Sequence, residues 1–243
     1  MVMNKLQGRY AVVTGAARGI GAAIVRKFLE EGIEKVAILD LNQIDTAPVD
    51  PTGKRAFSYA CDISSEESVK ATFAQIYQDF GRIDILVNNA GITRDSMFHK
   101  MTTDQWMRVI NTNLNSAFFT CQAVIGSMRE QCYGRIVNIA SSSIRGNVGQ
   151  SNYAAAKCAL EGLTRSLAKE SGRKNITVNC VAPGATNTDM YKTVPEEIVE
   201  ATKKSIPSGR LAEPSEIAAA VCFLACEEAG YVSGQTLFVN AGK

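Results

Sequence analysis

Short apolar runs alternate with longer segments of helical periodicity along the chain. Most of the short runs are apolar throughout rather than alternating with polar residues, which is typical of strands buried on both faces of a parallel sheet. The pattern predicts strands at 10–14, 35–40, 56–62, 83–90, 135–140, 177–183 and 235–240. It predicts helices between them, near 20–32, 66–80, 103–130, 152–172 and 214–227.

This alternation predicts an α/β fold, a doubly wound parallel sheet of about seven strands with helices on both faces. No repeat, low-complexity tract or linker divides the pattern, so we expect one domain over 1–243. Segment 41–55 contains two prolines and one glycine, which argue against a full crossover helix. Segment 185–210 is polar and follows a strand, where such segments commonly cover a ligand.

Composition and charge narrow the function classes. Hydrophobic residues make up 46% of the 243 residues, and charged residues make up 21%, which indicates a folded chain with a sizeable core. The net charge of only +2 carries no electrostatic footprint for nucleic acid. No apolar run is long enough to span a bilayer, and the N-terminal segment lacks a signal peptide's apolar stretch. We therefore expect a cytoplasmic protein that binds neither membrane nor nucleic acid.

Cysteine and histidine usage argues against a metal site. The chain has seven cysteines, no C-x-x-C motif and one histidine, His99. Cys222 and Cys226 are four residues apart, but no further ligands stand at zinc-like spacing. We expect no metal, and small buried cysteines in a reducing compartment.

A glycine-rich turn follows the first predicted strand and precedes the first predicted helix. Its sequence is TGAARGIG, with Gly15, Gly19 and Gly21 at G-x3-G-x-G spacing rather than the commoner dinucleotide spacing G-x-G-x-x-G. Glycines allow the backbone to approach a pyrophosphate, and a helix N-terminus supplies free N–H groups and a positive dipole end. The turn therefore predicts a dinucleotide site; a plain tight turn is the alternative.

Two charged residues bear on which dinucleotide binds. Asp40 ends the second predicted strand, where a carboxylate can accept hydrogen bonds from ribose hydroxyls and repel a 2′-phosphate. Arg18, in the glycine-rich turn, could instead pair with that phosphate. We expect NAD(H) because a carboxylate excludes the phosphate whereas an arginine only permits it; NADP(H) is the alternative.

Tyr153 and Lys157 are candidates for acid–base chemistry. They are four residues apart on a predicted helix and therefore share a face. A nearby ammonium favours the phenolate and lowers the pKa of a tyrosine, which is otherwise near 10. Ser141, at the end of the fifth predicted strand, could hold a substrate carbonyl, and Asn113 could continue a proton path through water. Alone, a YxxxK pair is more often a surface pair.

These motifs occur in the order found in a known family. TGAARGIG, Asn88-Asn89-Ala90-Gly91, Asn113, Ser141, Tyr153…Lys157 and Pro183-Gly184 together resemble the short-chain dehydrogenase/reductases over essentially the whole chain. The resemblance implies a single-domain Rossmann-like fold, a nicotinamide cofactor and a homotetramer. It implies catalytic roles for Asn113, Ser141, Tyr153 and Lys157. It implies cofactor contacts for Gly15, Arg18, Gly19, Ile20, Gly21, Asp40, Asp62, Ile63, Asn89, Ala90, Gly91, Tyr153, Lys157, Pro183, Gly184, Thr186 and Thr188.

The catalytic serine is ambiguous because Ser141, Ser142 and Ser143 are consecutive. Counting back from Tyr153 at the family's usual spacing reaches Ala140, which has no hydroxyl. Counting forward from Asn138 favours Ser141, and a one-residue deletion in the 143–150 loop would explain the discrepancy. Ser142 is the fallback.

Segments 91–95, 111–114, 149–157 and 234–240 resemble 3-oxoacyl-(acyl-carrier-protein) reductases and acetoacetyl-CoA reductases. The resemblance implies reduction of a 3-oxoacyl thioester to the 3-hydroxyacyl thioester. Arg129, Arg173 and Lys174 are either solvated surface charges or, as the resemblance implies, contacts for an acidic carrier protein. Asp40 and the shortened segment 41–55 depart from these reductases. An NAD-dependent hydroxysteroid or secondary-alcohol dehydrogenase is the alternative enzyme, and an inactive cofactor-binding scaffold is the alternative of another class.

Predicted helices 103–130 and 152–172 carry more apolar and small residues than one inward face needs. The surplus predicts an isologous contact between these helices and the same helices of a second subunit; core helices with a wide buried face are the alternative. The resemblance adds a second dyad through the C-terminal strand, and the two dyads together give the tetramer.

Overall fold

The computed structural model describes residues 4–192 and 194–243, apart from the side chains of residues 190 and 192. Seven parallel strands form one sheet in the order β3-β2-β1-β4-β5-β6-β7. They are β1 Tyr10–Thr14, β2 Lys35–Asp40, β3 Ala56–Ala60, β4 Ile85–Asn88, β5 Gly134–Ile139, β6 Ile176–Pro183 and β7 Thr236–Val239. The predicted doubly wound α/β fold is confirmed, and the strand order reverses between β1 and β4, the position at which such sheets bind ligands.

Helices cover both faces of the sheet. They are α1 Gly19–Glu30, α2 Glu66–Phe80, α3 Thr103–Ile110, α4 Ser116–Glu130, α5 Ser151–Ser171, α6 Asp189–Lys192, α7 Glu196–Ser205 and α8 Pro214–Ala225. One core cluster joins α1 and α8 to one face, and a second joins α2 and α4 to the other. No helix within residues 4–192 and 194–243 is long and apolar enough to cross a membrane.

The chain is helical over 103–130, as predicted, but the helix is not uniform. A π-helical segment, Asn111–Asn115, separates α3 from α4. Within it, the side chain of Asn113 bonds to both backbone polar groups of Ile92, which ties this segment to the loop after β4.

Three predicted strands, at 56–62, 83–90 and 235–240, are too long at their ends. The backbone leaves the sheet ladder where its N–H groups find other acceptors. For example, the N–H groups of Asn89 and Ala90 both donate to the Thr14 hydroxyl, each over 3.1 Å. The carboxyl ends of β1 and β4 therefore open into loops that lie side by side.

Segment 41–55 forms turns rather than a helix, as its prolines predicted. Asp50, only 5% exposed, organises these turns. Its carboxylate accepts from the backbone N–H groups of Thr52, Arg55 and Ala56 and from the Thr52 hydroxyl. Burial alone would raise the pKa of Asp50, but these bonds outweigh burial and lower it to about 2. The short connection thus brings β3 back beside β2 without a helix.

Candidate active site

The glycine-rich turn lies against the loop after β4 and leaves no room for side chains. A Cβ atom on Gly15 would stand 2.7 Å from the Cα of Ala90, and the backbone there has a positive φ of 62°. A Cβ on Gly21 would clash with the carbonyl oxygen of Gly15 and stand 2.7 Å from the Cα of Ala16. Glycine is therefore required at both positions by close approach of backbone.

The N-terminus of α1 is open to a ligand. Its N-cap residue, Arg18, is extended and makes no side-chain capping bond, and the first turn contains no acidic residue. The first N–H groups of a helix have no intrahelical partner, so this end can bind an anion such as a pyrophosphate. Thr188, in the loop after β6, faces it: a Cβ on Gly19 would lie 3.6 Å from the Thr188 methyl carbon. The residues present therefore fit a dinucleotide, with Ile20 beside the cradle on the first turn of α1.

Asn89 holds the glycine-rich turn in place. Its side-chain nitrogen donates to the carbonyl oxygens of Thr14 and Gly15, each over 2.9 Å. The Asn89 amide thus acts on the shape of the cradle. The Thr14 hydroxyl, at the end of β1, accepts from the loop after β4 and so also helps to hold the cradle. The sequence did not indicate this role for Thr14.

Asp40 lies at the edge of this cradle. Its carboxylate accepts from the backbone N–H groups of Ala17, over 3.1 Å, and Leu41, over 2.9 Å. Each carboxylate oxygen retains acceptor capacity beyond these bonds. Asp62 lies close by, since the N–H of Cys61 donates to the Asp40 carbonyl, but one of its carboxylate oxygens already accepts from the backbone and hydroxyl of Ser64.

Lys157, Asn113 and Gly91 converge beyond the cradle. Lys157 is 3% exposed, and its Nζ donates to the Ile139 carbonyl oxygen over 2.6 Å. A Cβ on Gly91 would stand 3.3 Å from both the Lys157 Nζ and the Asn113 Oδ1. Burial lowers the pKa of Lys157 to about 8. The lysine is thus a cation close to its titration midpoint at mildly alkaline pH.

The hydroxyl of Tyr153 pairs with that of Ser141, and Lys157 Nζ lies 5.8 Å from the centre of the tyrosine ring. Burial raises the pKa of Tyr153, the Ser141 hydrogen bond lowers it, and the negative charge of Asp95 raises it again. The net direction is upward. The expectation that the pKa of Tyr153 is lowered is therefore wrong for this structure, because burial outweighs the influence that lowers it.

The three consecutive serines have different surroundings. Ser141 begins a single helical turn and accepts from the Ser143 N–H over 3.1 Å. The Ser143 hydroxyl donates to Gln150 over 3.1 Å. The Ser142 hydroxyl is buried and has no hydrogen-bond partner among the described residues. The geometry brings Ser141, rather than Ser142, to Tyr153.

The loop after β6 borders the cradle from the other side. Pro183 ends β6, and Gly184 packs so closely on β7 that a Cβ would stand 3.0 Å from the Asn240 Cα. Thr186 is 6% exposed, and its hydroxyl donates to the Gly184 carbonyl over 3.0 Å. Beyond it, the predicted covering segment 185–210 contains α6 and α7; residue 193 of that segment lies outside the described residues.

Asp95 and Gln150 reach the site but were not predicted. The Gln150 amide nitrogen donates to Asp95 over 2.9 Å, and Gln150 immediately precedes α5, which carries Tyr153. The Ser96 N–H donates to the Gly149 carbonyl over 2.9 Å, so the two loops run together. No motif links segments so distant in sequence, which is why only the structure reveals this pair.

Ile63 is 7% exposed and packs within the core cluster of α2, so its side chain supports the sheet edge next to Asp62. The cofactor candidates from the glycine-rich turn, β2, β4 and β6 thus lie along the carboxyl edge of the sheet. The catalytic candidates stand on the same edge.

Comparison with known proteins agrees with this arrangement. A family model described as enoyl-(acyl carrier protein) reductase matches residues 15–243. The chain is 46% identical to an acetoacetyl-CoA reductase of Shinella zoogloeoides, over 97% of this chain and 98% of that protein. It is 43% identical to the 3-oxoacyl-(acyl-carrier-protein) reductase FabG of Vibrio cholerae and 46% identical to that of Pseudomonas aeruginosa, over 98% of each chain. The chain therefore belongs to the short-chain dehydrogenase/reductase family of nicotinamide-dependent oxidoreductases.

Proposed function

We propose that this protein reduces a 3-oxoacyl thioester, carried by coenzyme A or an acyl carrier protein, to the 3-hydroxyacyl thioester with NAD(P)H. The observation that carries the proposal is the paired hydroxyls of Tyr153 and Ser141 at the sheet edge where the glycine-rich turn opens. Relatives named for these two activities, similar over nearly their whole length, support the choice of substrate.

The proposed reaction assigns one task to each side chain. The nicotinamide cofactor, when bound, supplies the hydride that converts the ketone carbon to an alcohol carbon. Tyr153 gives its hydroxyl proton to the ketone oxygen, and its raised pKa keeps that proton in place at neutral pH. Ser141 donates a hydrogen bond that orients the oxygen. Lys157 holds positive charge beside the phenol, and Asn113 holds the backbone at Ile92.

For the cofactor, we propose a preference for NADH. Asp40 stands at the edge of the glycine-rich turn, where its free acceptor capacity suits ribose hydroxyls and its charge repels a 2′-phosphate. Arg18 is exposed on the same turn and would attract that phosphate once the carboxylate is gone.

Asp40→Ala is expected to lower kcat/KM with NADH about 10-fold to 100-fold, the usual effect of losing hydrogen bonds to a charged group. The loss with NADPH should be smaller or absent, so the preference shrinks or inverts. Asp62→Ala is the matched control, because its carboxylate already serves a local turn and should affect the two cofactors alike. If the wild-type protein prefers NADPH to NADH tenfold or more in kcat/KM, Asp40 does not bind the ribose hydroxyls.

For assembly, we propose a homotetramer with one dyad through α4 and α5. Several residues that suggested a surplus apolar face, Ala117, Cys121, Val124 and Leu160, are buried within the chain itself. The outer face still presents Phe118, which is 48% exposed, and exposed small residues on α5 that permit close helix approach: Ala155, Cys158, Ala159 and Gly162. The second dyad would run through β7.

Phe118→Glu is the variant that tests this dyad, since a charge at an apolar contact is costly while the fold loses little. Phe119 and Leu163 are less suitable positions because both pack against core clusters. Light scattering should give a wild-type mass of about four chains and half that mass for Phe118→Glu. Ile198→Glu, which charges an exposed apolar position on α7, should leave the mass unchanged. A monomeric wild type would refute the tetramer.

The tetramer also bears on the carrier. Arg129, in the last turn of α4, and Arg173, after α5, lie at the end of α5 remote from Tyr153. A helix of 21 residues is about 30 Å long, so a carrier docked on these arginines is far from its own chain's Tyr153. A dyad that places α5 antiparallel to its copy would bring the arginines toward the partner's site. We therefore propose that carrier-linked substrates use two subunits.

A substrate panel tests the proposed function against its alternatives. Acetoacetyl-CoA, a longer 3-oxoacyl thioester on an acyl carrier protein, a steroid ketone and a diol are each assayed with the reduced or oxidised cofactor. We expect the thioesters to have the highest kcat/KM. Turnover of the steroid or diol alone would favour the dehydrogenase alternative, and binding of NADH without any turnover would favour the scaffold.

A further inference from the structure

A chain of hydrogen bonds between buried side chains crosses the sheet beneath the candidate site. Thr120 of α4 donates to Asn88 of β4 over 2.7 Å, and the Asn88 amide nitrogen donates to Asn138 of β5 over 2.9 Å. The Asn138 amide nitrogen donates to the Thr164 hydroxyl of α5 over 2.8 Å, and Thr164 contacts the thiol of Cys180 of β6 over 3.1 Å. All five residues are buried, and the reaction proposed above uses neither Asn138 nor Thr164.

The bond between Asn138 and Thr164 has few substitutes. Both residues are at most 1% exposed, so water cannot replace a lost partner. The oxygen of the Asn138 amide already accepts from Asn88 of β4, and the nitrogen of the same amide donates to Thr164 of α5. Removing the Thr164 hydroxyl would leave a buried donor unpaired, and such a group drives its surroundings to rearrange.

The same strand and helix meet at Lys157. Thr164 and Lys157 are seven residues apart, about two helical turns, and therefore lie on one face of α5. Their partners on β5, Asn138 and Ile139, are consecutive. Two contacts thus join α5 to one short stretch of β5, the Lys157 bond to Ile139 and the Asn138 bond to Thr164. Because both lie on one face of the helix, both depend on the same rotation of α5 about its own axis. That rotation decides whether the Lys157 Nζ reaches the Ile139 carbonyl.

We propose that Asn138 and Thr164 are positioning residues that hold α5 in the rotation at which Lys157 bonds to Ile139 and stands beside Tyr153. The inference rests on the proposed function for the part Lys157 has in it, but the positioning itself is a property of the chain's own residues. Neither side chain touches the reacting groups.

The titration of Lys157 can be told apart from that of the groups that face it. From α5 it faces Tyr153, whose pKa is raised, and from β6 it faces Cys180, whose pKa burial raises to about 11. Asn113, from the π-helical segment, is neutral. Lys157, with a pKa lowered to about 8, is therefore the group expected to titrate between pH 7 and 9.5. Its ammonium is present below that pKa, so kcat/KM for reduction should fall as the pH rises through it.

Thr164→Val keeps the side chain's shape and removes its hydroxyl. We expect kcat/KM with acetoacetyl-CoA to fall about 10-fold to 100-fold, as small misplacements of reacting groups commonly cause. The alkaline limb of the pH profile should move down by about half a pH unit or more, because losing the Ile139 carbonyl disfavours the ammonium. We also expect NADH affinity, measured by fluorescence titration without substrate, to weaken as the pH rises, and to do so at a lower pH in the variant than in the wild type. Thr164→Ser should restore all three values.

Thr177→Val is the matched control, since this buried threonine on β6 has no partner for its hydroxyl among the described residues. Thr177→Val should leave the alkaline limb of the kcat/KM pH profile at its wild-type position. If Thr164→Val does not fold, Thr164→Cys, with a weaker thiol, should give an intermediate shift. A variant that loses only thermal stability, with limb and NADH affinity unchanged, would overturn the positioning role. Wild-type protein without thioester reduction would refute the proposed function instead, whereas the NADH titration would still decide the positioning role.

Discussion

Tyr153→Phe should lower kcat for thioester reduction about 10²-fold to 10⁴-fold, the usual contribution of a positioned general acid. The substitution keeps the ring, and thus the packing beside Lys157, but removes the only proton that the Tyr153 side chain can give to the ketone oxygen. The Ser141 hydroxyl remains and can still orient substrate. NADH affinity should therefore change little, and the loss should appear in kcat rather than in binding.

Tyr77→Phe is the control for this result. Tyr77 of α2 is another partly buried tyrosine whose pKa burial raises, and its hydroxyl donates to the Ala123 carbonyl of α4. Its removal tests whether losing a phenolic hydroxyl disturbs catalysis through stability alone. Near-normal kcat in Tyr153→Phe would exclude the tyrosine as the acid.

Ser141→Ala should lower kcat/KM about 10²-fold to 10³-fold, as expected for loss of one donor aimed at a developing oxyanion. Ser142→Ala is a matched control one residue away. Its hydroxyl is buried without a partner among the described residues, so its loss removes no bond that the structure contains. Steady-state kinetics of the two variants with acetoacetyl-CoA decide between them. A severe Ser142→Ala and a mild Ser141→Ala would transfer the role to Ser142.

The fold was largely predictable because its signals are local. Apolar runs without polar alternation identified the buried strands, and the prolines of 41–55 excluded a helix. The ends of β4 were misjudged, since Asn89 and Ala90 leave the ladder for a hydroxyl on another strand. The π-helical segment was missed for a similar reason: Asn113 bonds to Ile92, 21 residues away in sequence.

The candidate site was predictable where one short segment carries the chemistry, as in the glycine-rich turn or the Tyr153–Lys157 pair. It was not predictable where the chemistry depends on three-dimensional neighbours. The pKa of Tyr153 was expected to be lowered by Lys157, yet burial and Asp95 raise it, while Lys157 bonds to a carbonyl.

The transfer of hydride to the carbonyl carbon is the central claim, and isotope labelling tests it most directly. The enzyme is given acetoacetyl-CoA and NADH with deuterium in place of both hydrogens at C4 of the nicotinamide, and the product is analysed by mass spectrometry. We predict 3-hydroxybutyryl-CoA with one deuterium bound to C3. With unlabelled NADH the product should carry no deuterium, and Tyr153→Phe should form product only at its residual rate. Product without deuterium at C3, or no product from a folded protein that binds NADH, would contradict the account.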